Sequence, residues 1–271
     1  MTFGIIGTGN MGSAIARALC ARVDGKDVYL ANRTPEKAQS LAAALGAVAA
    51  DNETAARCTY VVLAVKPQMM GALLSSLRPV LEARQDRFVL VSLAAGLGIE
   101  TLQEMAGSAY PVLRLLPNTP VAIGAGMSLY SASPELTKQE LDDFLDACAC
   151  AGRFDEISEA QMNAGSALTG CTPAFVSLFL EALSDGGVAC GLPRQKALEY
   201  AAQAIAGTAQ LYLATKTHPG AMKDAVCSPG GSTIAGVRAL EQGGFRAAAM
   251  QAVEAACKRG SELGKPADQK K

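Results

Sequence analysis

The sequence predicts an α/β domain built on a doubly wound parallel sheet, followed by a domain made of helices alone. Three observations carry that expectation. Short β-branched runs alternate with helical stretches through the first half of the chain, and a glycine-rich turn joins the first run to the first helix. From Thr137 onward helical patterning continues almost without interruption. Length agrees: 271 residues at roughly 150 per domain is about 1.8 domains. The boundary is placed near 157, giving 1–157 as the sheet domain and 158–271 as the helical one.

Strands are expected at 2–6, 27–31, 60–64, 88–92 and 111–115, with a shorter one near 47–49. Helices are expected at 10–22, 35–45, 67–82 and 99–105. Thr34-Pro35 marks a helix start, a capping residue followed by proline at the first helical position. Beyond Thr137, a helix over 137–150 precedes a brief terminal strand from Gly152 to Ile157. Further helices are expected at 158–168, 172–190, 193–214, 218–225, 232–242 and 244–262. The stretch 173–183 and the Ala-rich 197–213 carry more apolar surface than one covering face requires. Such helices belong in the centre of a bundle or at a subunit interface, which favours an oligomer.

Composition removes several classes of function. With 24 basic against 25 acidic side chains, the chain lacks the basic excess of a nucleic-acid binder. Half of its residues are hydrophobic and 18% are charged, which is too apolar for a disordered chain. The single His rules out a His-rich metal site, and no metal is expected. Eight Cys residues are spread through apolar stretches and read as buried free thiols of a reducing compartment. No apolar run is read as reaching the roughly 18 residues of a membrane helix, so a cytoplasmic location without membrane contact is expected.

The strongest local signal is Gly7-Thr8-Gly9-Asn10-Met11-Gly12. It follows the strand ending at Ile6 and opens a helix, and a second strand ends near Ala31. That context makes it the phosphate-binding turn of a Rossmann-like dinucleotide-binding domain. Gly7 permits the tight turn, Gly9 lets the backbone approach a pyrophosphate, and Gly12 lets the helix lie close to the sheet. At the end of the second strand the chain reads Ala31-Asn32-Arg33-Thr34, with no acid to accept from a ribose 2′-OH. Arg33 can pair with a 2′-phosphate, so NADP(H) is preferred over NAD(H); the alternative is that Arg33 faces solvent. Three loops follow strand ends on the same sheet edge: Ala64-Val65-Lys66-Pro67, Leu93-Ala94-Ala95-Gly96 and Leu116-Pro117-Asn118-Thr119-Pro120. Asn118 suits a nicotinamide carboxamide or ribose. Lys66 is either a phosphate contact or an ordinary helix-start lysine.

Reduction of a ketone usually needs an acid beside the developing alkoxide. The segment from Asn163 to Pro173 offers small and hydroxylic residues but no Lys and no carboxylate. Reduction of a protonated imine needs no such acid. A second glycine-rich helix start, Ser228-Pro229-Gly230-Gly231-Ser232-Thr233, forms an anion nest suited to a substrate carboxylate, unless it is only a well-capped helix. His218 precedes it, and reads more readily as a structural hydrogen-bonder than as a catalyst.

On these residues the whole chain resembles the pyrroline-5-carboxylate reductases. The resemblance is carried by the Gly7–Gly12 turn, Ala64-Val65-Lys66-Pro67, Leu116-Pro117-Asn118-Thr119-Pro120, His218-Pro219-Gly220, Lys223-Asp224, the run from Ser228 to Gly236, and Gly244-Phe245-Arg246. It implies reduction of L-1-pyrroline-5-carboxylate to L-proline, with NADPH as usual donor and NADH a weaker one. It further implies that Gly231, Ser232 and Thr233, with Ser228 nearby, hold the substrate carboxylate. Ser166 matches a family hydroxyl that approaches the ring nitrogen. Family members form homodimers through interlocked C-terminal helices, and some assemble into decamers. The chain departs from the family pattern at Cys171 and Thr172, within Gly170-Cys171-Thr172-Pro173-Ala174, and at Asp51, where an Asn often lies near the adenosine ribose. Competing readings are a reductase of another cyclic imine, a hydroxyacid dehydrogenase, and a non-catalytic nucleotide-binding oligomer.

Overall fold

The first strand, Phe-Gly-Ile-Ile at Phe3–Ile6 (β1), is buried at every position, as a strand flanked by helices on both faces must be. The computed structural model describes residues 1–263. It continues through α1 (Asn10–Cys20), β2 (Val28–Ala31), α2 (Pro35–Leu45), β3 (Val48–Ala49), α3 (Asn52–Ala55) and β4 (Tyr60–Leu63). Next come α4 (Pro67–Glu82), β5 (Val89–Ser92), α5 (Ile99–Ala106), β6 (Val112–Leu116), β7 (Gly126–Ala132), α6 (Lys138–Ala147) and β8 (Gly152–Glu156). Five helices complete the described residues: α7 (Met162–Ala189), α8 (Arg194–Thr215), α9 (Pro219–Ala225), α10 (Ser232–Gln242) and α11 (Phe245–Leu263).

The strands form one sheet in the order β3-β2-β1-β4-β5-β6-β7-β8. The first six are parallel and follow the doubly wound order that reverses between β1 and β4. Side chains alternate between two cores. Phe3, Ile5, Leu30 and Val62 meet α1, α2 and α6 on one face, while Ile6, Val61, Leu63 and Leu90 meet α3, α4 and α5 on the other. Gly4 is pressed so closely by α3 that a Cβ there would sit 1.9 Å from the Ala55 carbonyl oxygen.

The chain divides into two compact units, Met1–Cys171 with the end of α11 from Ala256, and Thr172–Ala255. The division falls inside α7. Two helices were expected there, at 158–168 and 172–190, and that expectation is corrected: one helix runs through Pro173. A single proline removes one internal hydrogen bond, which a long helix survives. The strand β7 is absent from the sequence expectation. Its Gly-Met-Ser-Leu-Tyr-Ser-Ala sequence buries Ser128 and Ser131 beside Leu129, so polar residues sit where an apolar alternation was sought. It pairs antiparallel to β6 and parallel to β8. The expected 137–150 helix ends earlier, at Ala147, and continues as a short tight turn over Ala149–Ala151.

Two further expectations need correction. All eight Cys are free, but only Cys58 and Cys148 are buried, and Cys150 and Cys190 are exposed. The helical stretch Glu159–Ala189 is 31 residues long, and by length and composition it qualifies to cross a membrane. Scattered Gly, Ser and Thr hide that character in the sequence.

The second unit buries little of itself. Among residues 172–255 only Ser184 and Ala197 are buried, while Leu178, Tyr200, Leu211, Leu213 and Met250 stand exposed.

Candidate functional site

The turn after β1 has the geometry its glycines permit. Gly7 sits at φ +107°, and a Cβ there would meet the Ala64 carbonyl oxygen at 2.5 Å. Its amide donates to the Ala31 carbonyl at 2.8 Å, and the Ala64 amide donates to the Ile6 carbonyl at 2.9 Å, so the ends of β2, β1 and β4 are tied together. A Cβ on Gly12 would lie 1.9 Å from the Gly7 carbonyl oxygen. Gly9 differs: a Cβ there would meet nothing within 4 Å. The backbone at Gly9 is open on the side where a ligand would approach.

The start of α1 is prepared for an anion. Gly9 is its N-cap, no side chain caps it, and its first turn holds no acid. The first amides therefore lack partners within the helix, and the positive end of the helix dipole is unopposed. The Thr8 hydroxyl oxygen is buried without a hydrogen-bond partner. Asn10 is exposed and Met11 half-buried at the same turn. These features fit a pyrophosphate.

Asn32 ties this turn to the end of β2. Its Oδ1 accepts from the Thr8 amide at 3.2 Å, and its Nδ2 donates to the Thr34 carbonyl at 3.0 Å. Arg33 beside it is exposed and engages no carboxylate among the described residues. A cavity of about 630 Å³ opens here, lined by Asn32, Pro35, Ala49, Asp51, Asn52 and Ser76 among others. Asp51 accepts from the Thr54 amide at 2.7 Å as the cap of α3, and that bond holds its carboxyl below the ordinary carboxylate range.

The remaining loops lie at the same sheet edge. Lys66 is the exposed N-cap of α4 with Pro67 at the first helical position, and Val65 lies against the Gly7 turn. Ala94 is buried, its amide donating to the Ser92 hydroxyl at 3.3 Å. Asn118 is half-buried, and both ends of its carboxamide bond within the protein. Oδ1 accepts from the Met127 amide at 2.9 Å, and Nδ2 donates to the Thr169 carbonyl at 3.1 Å. Ser166 lies half-buried on the same stretch of α7, and a Cβ on Gly170 would lie 3.6 Å from its hydroxyl.

Sequence reasoning missed the ion pair that anchors the start of α7. Arg114, in the middle of β6 and 3% exposed, donates to Glu159 at 2.7 Å. The same carboxylate oxygen accepts from the Ile99 amide at the start of α5, at 3.2 Å. An arginine inside the apolar run Val-Leu-Arg-Leu-Leu was the available signal, because a buried charge requires a partner.

In the second unit, the Ser228–Thr233 turn resembles the first in its chemistry. Gly230 takes φ +68°, the Gly231 amide donates to the Ser228 carbonyl at 3.0 Å, and a Cβ on Gly231 would strike the Ser228 hydroxyl at 2.4 Å. Gly231 caps α10 without a side-chain bond and without an acid in the first turn. Ser232 and Thr233 are exposed at its start. His218 caps α9 instead of facing this turn's chemistry: its Nδ1 accepts from the Gly220 amide at 3.1 Å.

Fold and site together define a Rossmann-fold oxidoreductase with an appended helical unit. Residues 159–263 match the family model described as pyrroline-5-carboxylate reductase dimerisation. Residues 2–96 match one described as NADP oxidoreductase, coenzyme F420-dependent. The chain is 37% identical over 266 residues to pyrroline-5-carboxylate reductase of Escherichia coli K12, covering 97% of this chain and 98% of that one. The pea (Pisum sativum) enzyme is 37% identical over 265 residues, covering 97% and 96%. Among solved structures, the Plasmodium falciparum pyrroline carboxylate reductase with NADP bound aligns with a TM-score of 0.88 at 31% identity, covering 98% of each chain. The chain belongs to the pyrroline-5-carboxylate reductase family.

Proposed function

We propose that this chain reduces L-1-pyrroline-5-carboxylate to L-proline, with NADPH preferred and NADH accepted less well. One observation carries the reading: the start of α10 at Gly231 repeats the features of the start of α1 at Gly9, a glycine turn with a glycine N-cap, no side-chain cap and no acid in the first turn. A dinucleotide pyrophosphate needs only the first. The second suits a carboxylate, the one anionic group of a cyclic imino acid.

In this reading Ile6 to Gly12 hold the pyrophosphate, and Asn32, Arg33 and Thr34 hold the adenosine end, with Arg33 pairing the 2′-phosphate. Ala64, Val65, Lys66, Pro67 and Ala94 border the nicotinamide half. Ser228, Gly231, Ser232 and Thr233 orient the substrate through its carboxylate, and Ser166 hydrogen-bonds the ring nitrogen. NADPH, when bound there, would supply the hydride that imine carbon C5 accepts. The ring nitrogen enters protonated, so the C=N electron pair returns to it and no side-chain acid is consumed. The chain contributes position and exclusion of water.

The functional boundary is placed near 157. A second copy covers the apolar C-terminal helices, giving a homodimer open to further assembly into a decamer, in the cytoplasm. The family's dimerisation match over 159–263 supports this occupant over a lipid bilayer for α7.

The test is NADPH oxidation followed by absorbance with pyrroline-5-carboxylate and with ring-size analogues. Turnover with the five-membered ring, well above the six-membered one, is expected. Preference for the larger ring, or no oxidation, contradicts the reading. In the same assay Arg33→Ala should raise KM for NADPH and leave that for NADH unchanged.

A further inference from the structure

We infer that Asn118 is a positioning residue: its carboxamide replaces the hydrogen bond that Pro173 deletes from α7, and so fixes the turn of helix that carries Ser166. The inference rests on the reading of Ser166 given above.

In an α-helix the amide of residue 173 would donate to the carbonyl of residue 169. Proline has no amide hydrogen, and its ring crowds that carbonyl. The Thr169 carbonyl is therefore left without its helical partner. Asn118 Nδ2 donates to this same carbonyl at 3.1 Å. The other end of the carboxamide fixes its orientation, because Oδ1 accepts from the Met127 amide at 2.9 Å. A flipped amide would set an NH₂ group against an N–H and an oxygen against a carbonyl, losing both bonds.

Asn118 stands two residues beyond β6, at the sheet edge where the cofactor loops lie. The helix is brought to that edge by Gly165, where a Cβ would strike the Leu129 and Ile157 side chains at 2.5 and 2.8 Å. Ser166 is the next residue, and Thr169 follows within one turn. The Asn118 bond thus sets the height of Ser166 above the sheet edge. Without Asn118 the Thr169 carbonyl, which the backbone of α7 does not hold, loses its tie to the sheet edge.

This separates Asn118 from a nicotinamide contact. Asn118→Asp is nearly isosteric, keeps the acceptor for Met127 and replaces the donor to Thr169 with a repelling oxygen. Turnover is expected to fall about tenfold with the NADPH dissociation constant changed less than about twofold. Amides over 163–171 should exchange faster with solvent. Pro173→Ala gives residue 173 an amide that can take over the Thr169 carbonyl. Added to Asn118→Asp, it should recover at least about threefold in turnover and return the exchange toward that of the unmodified chain. Asn118→Ala, which adds no charge, repeats the comparison if the Asp variant fails to fold.

Weakened NADPH binding with unchanged exchange over 163–171 would make Asn118 a cofactor contact and overturn the inference. Strictly additive effects of the two substitutions on exchange would overturn it as well. If the unmodified chain does not reduce the imine, the proposed function falls. The exchange measurements then still decide whether Asn118 holds the helix.

Discussion

The two units of this chain solve the problem of apolar surface in opposite ways. In the sheet unit, β1, β4, β5 and β6 are buried at every residue, and helices close both faces. In the helical unit, residues 172–255 bury only Ser184 and Ala197 and leave Leu178, Leu211 and Met250 more than half exposed. A core of the first kind is complete within one chain. Helices of the second kind have their apolar side chains facing outward and require another surface to cover them. The Gly7–Gly12 turn thus belongs to a body with a closed core, whereas the Ser228–Thr233 turn belongs to one whose apolar side chains lie open to a second surface.

The sharpest way to break this contrast is to charge the outward face. Leu211→Arg with Met250→Arg should convert the oligomer to monomer in sedimentation velocity and lower turnover by at least about 100-fold, because the helical unit loses its cover. An assembled, active double variant would break the comparison.

Glycine substitutions in the Gly7–Gly12 turn test it from the other side. Gly12→Val forces side-chain atoms into the Gly7 carbonyl and should cost about 3 kcal/mol or more of stability by denaturant unfolding. Gly9→Ala meets no protein atom, so unfolding should be unchanged while calorimetry shows NADPH binding weakened by about tenfold.

Smaller effects distinguish the units by concentration dependence. Ile5→Ala, in the closed core, should cost about 3 kcal/mol. That loss should be the same at every protein concentration. Leu211→Ala should lower the melting temperature more at low protein concentration than at high.

The smallest effect is electrostatic and confined to the sheet unit. Arg87 donates to both carboxylate oxygens of Glu140, at 2.6 and 3.0 Å, and draws its pKa down from 4.5 to about 2. Because the folded value is depressed, the stabilisation is full above about 4.5 and is lost as pH falls toward 2. Arg87→Ala should remove roughly 1 kcal/mol at neutral pH and flatten the decline below pH 5 in acid unfolding curves.

Much of this was legible from residues. Strand runs such as Tyr-Val-Val-Leu and Val-Leu-Val-Ser, the Gly7–Gly12 spacing and the Thr34-Pro35 start place β1 to β6, α1, α2, α4 and α5 within a residue or two of where they stand, whereas the short α3 and the strand β7 were not expected. The glycine turns at the starts of α1 and α10 were legible from the spacing of their glycines. What escaped depends on contacts distant in sequence. β7 is held by its neighbours in the sheet despite buried serines, and α7 persists through Pro173 while a side chain 51 residues earlier takes up the freed carbonyl. The pairing of Arg114 with Glu159 is of the same kind: the residue was visible in β6, but its partner 45 positions away was not.

Whether the helical unit works only with a second copy is decided by sedimentation velocity of the unmodified chain over a dilution series, with specific activity read at each concentration. No active species smaller than a dimer is expected, and activity should fall in step with dissociation. A fully active monomer would contradict this.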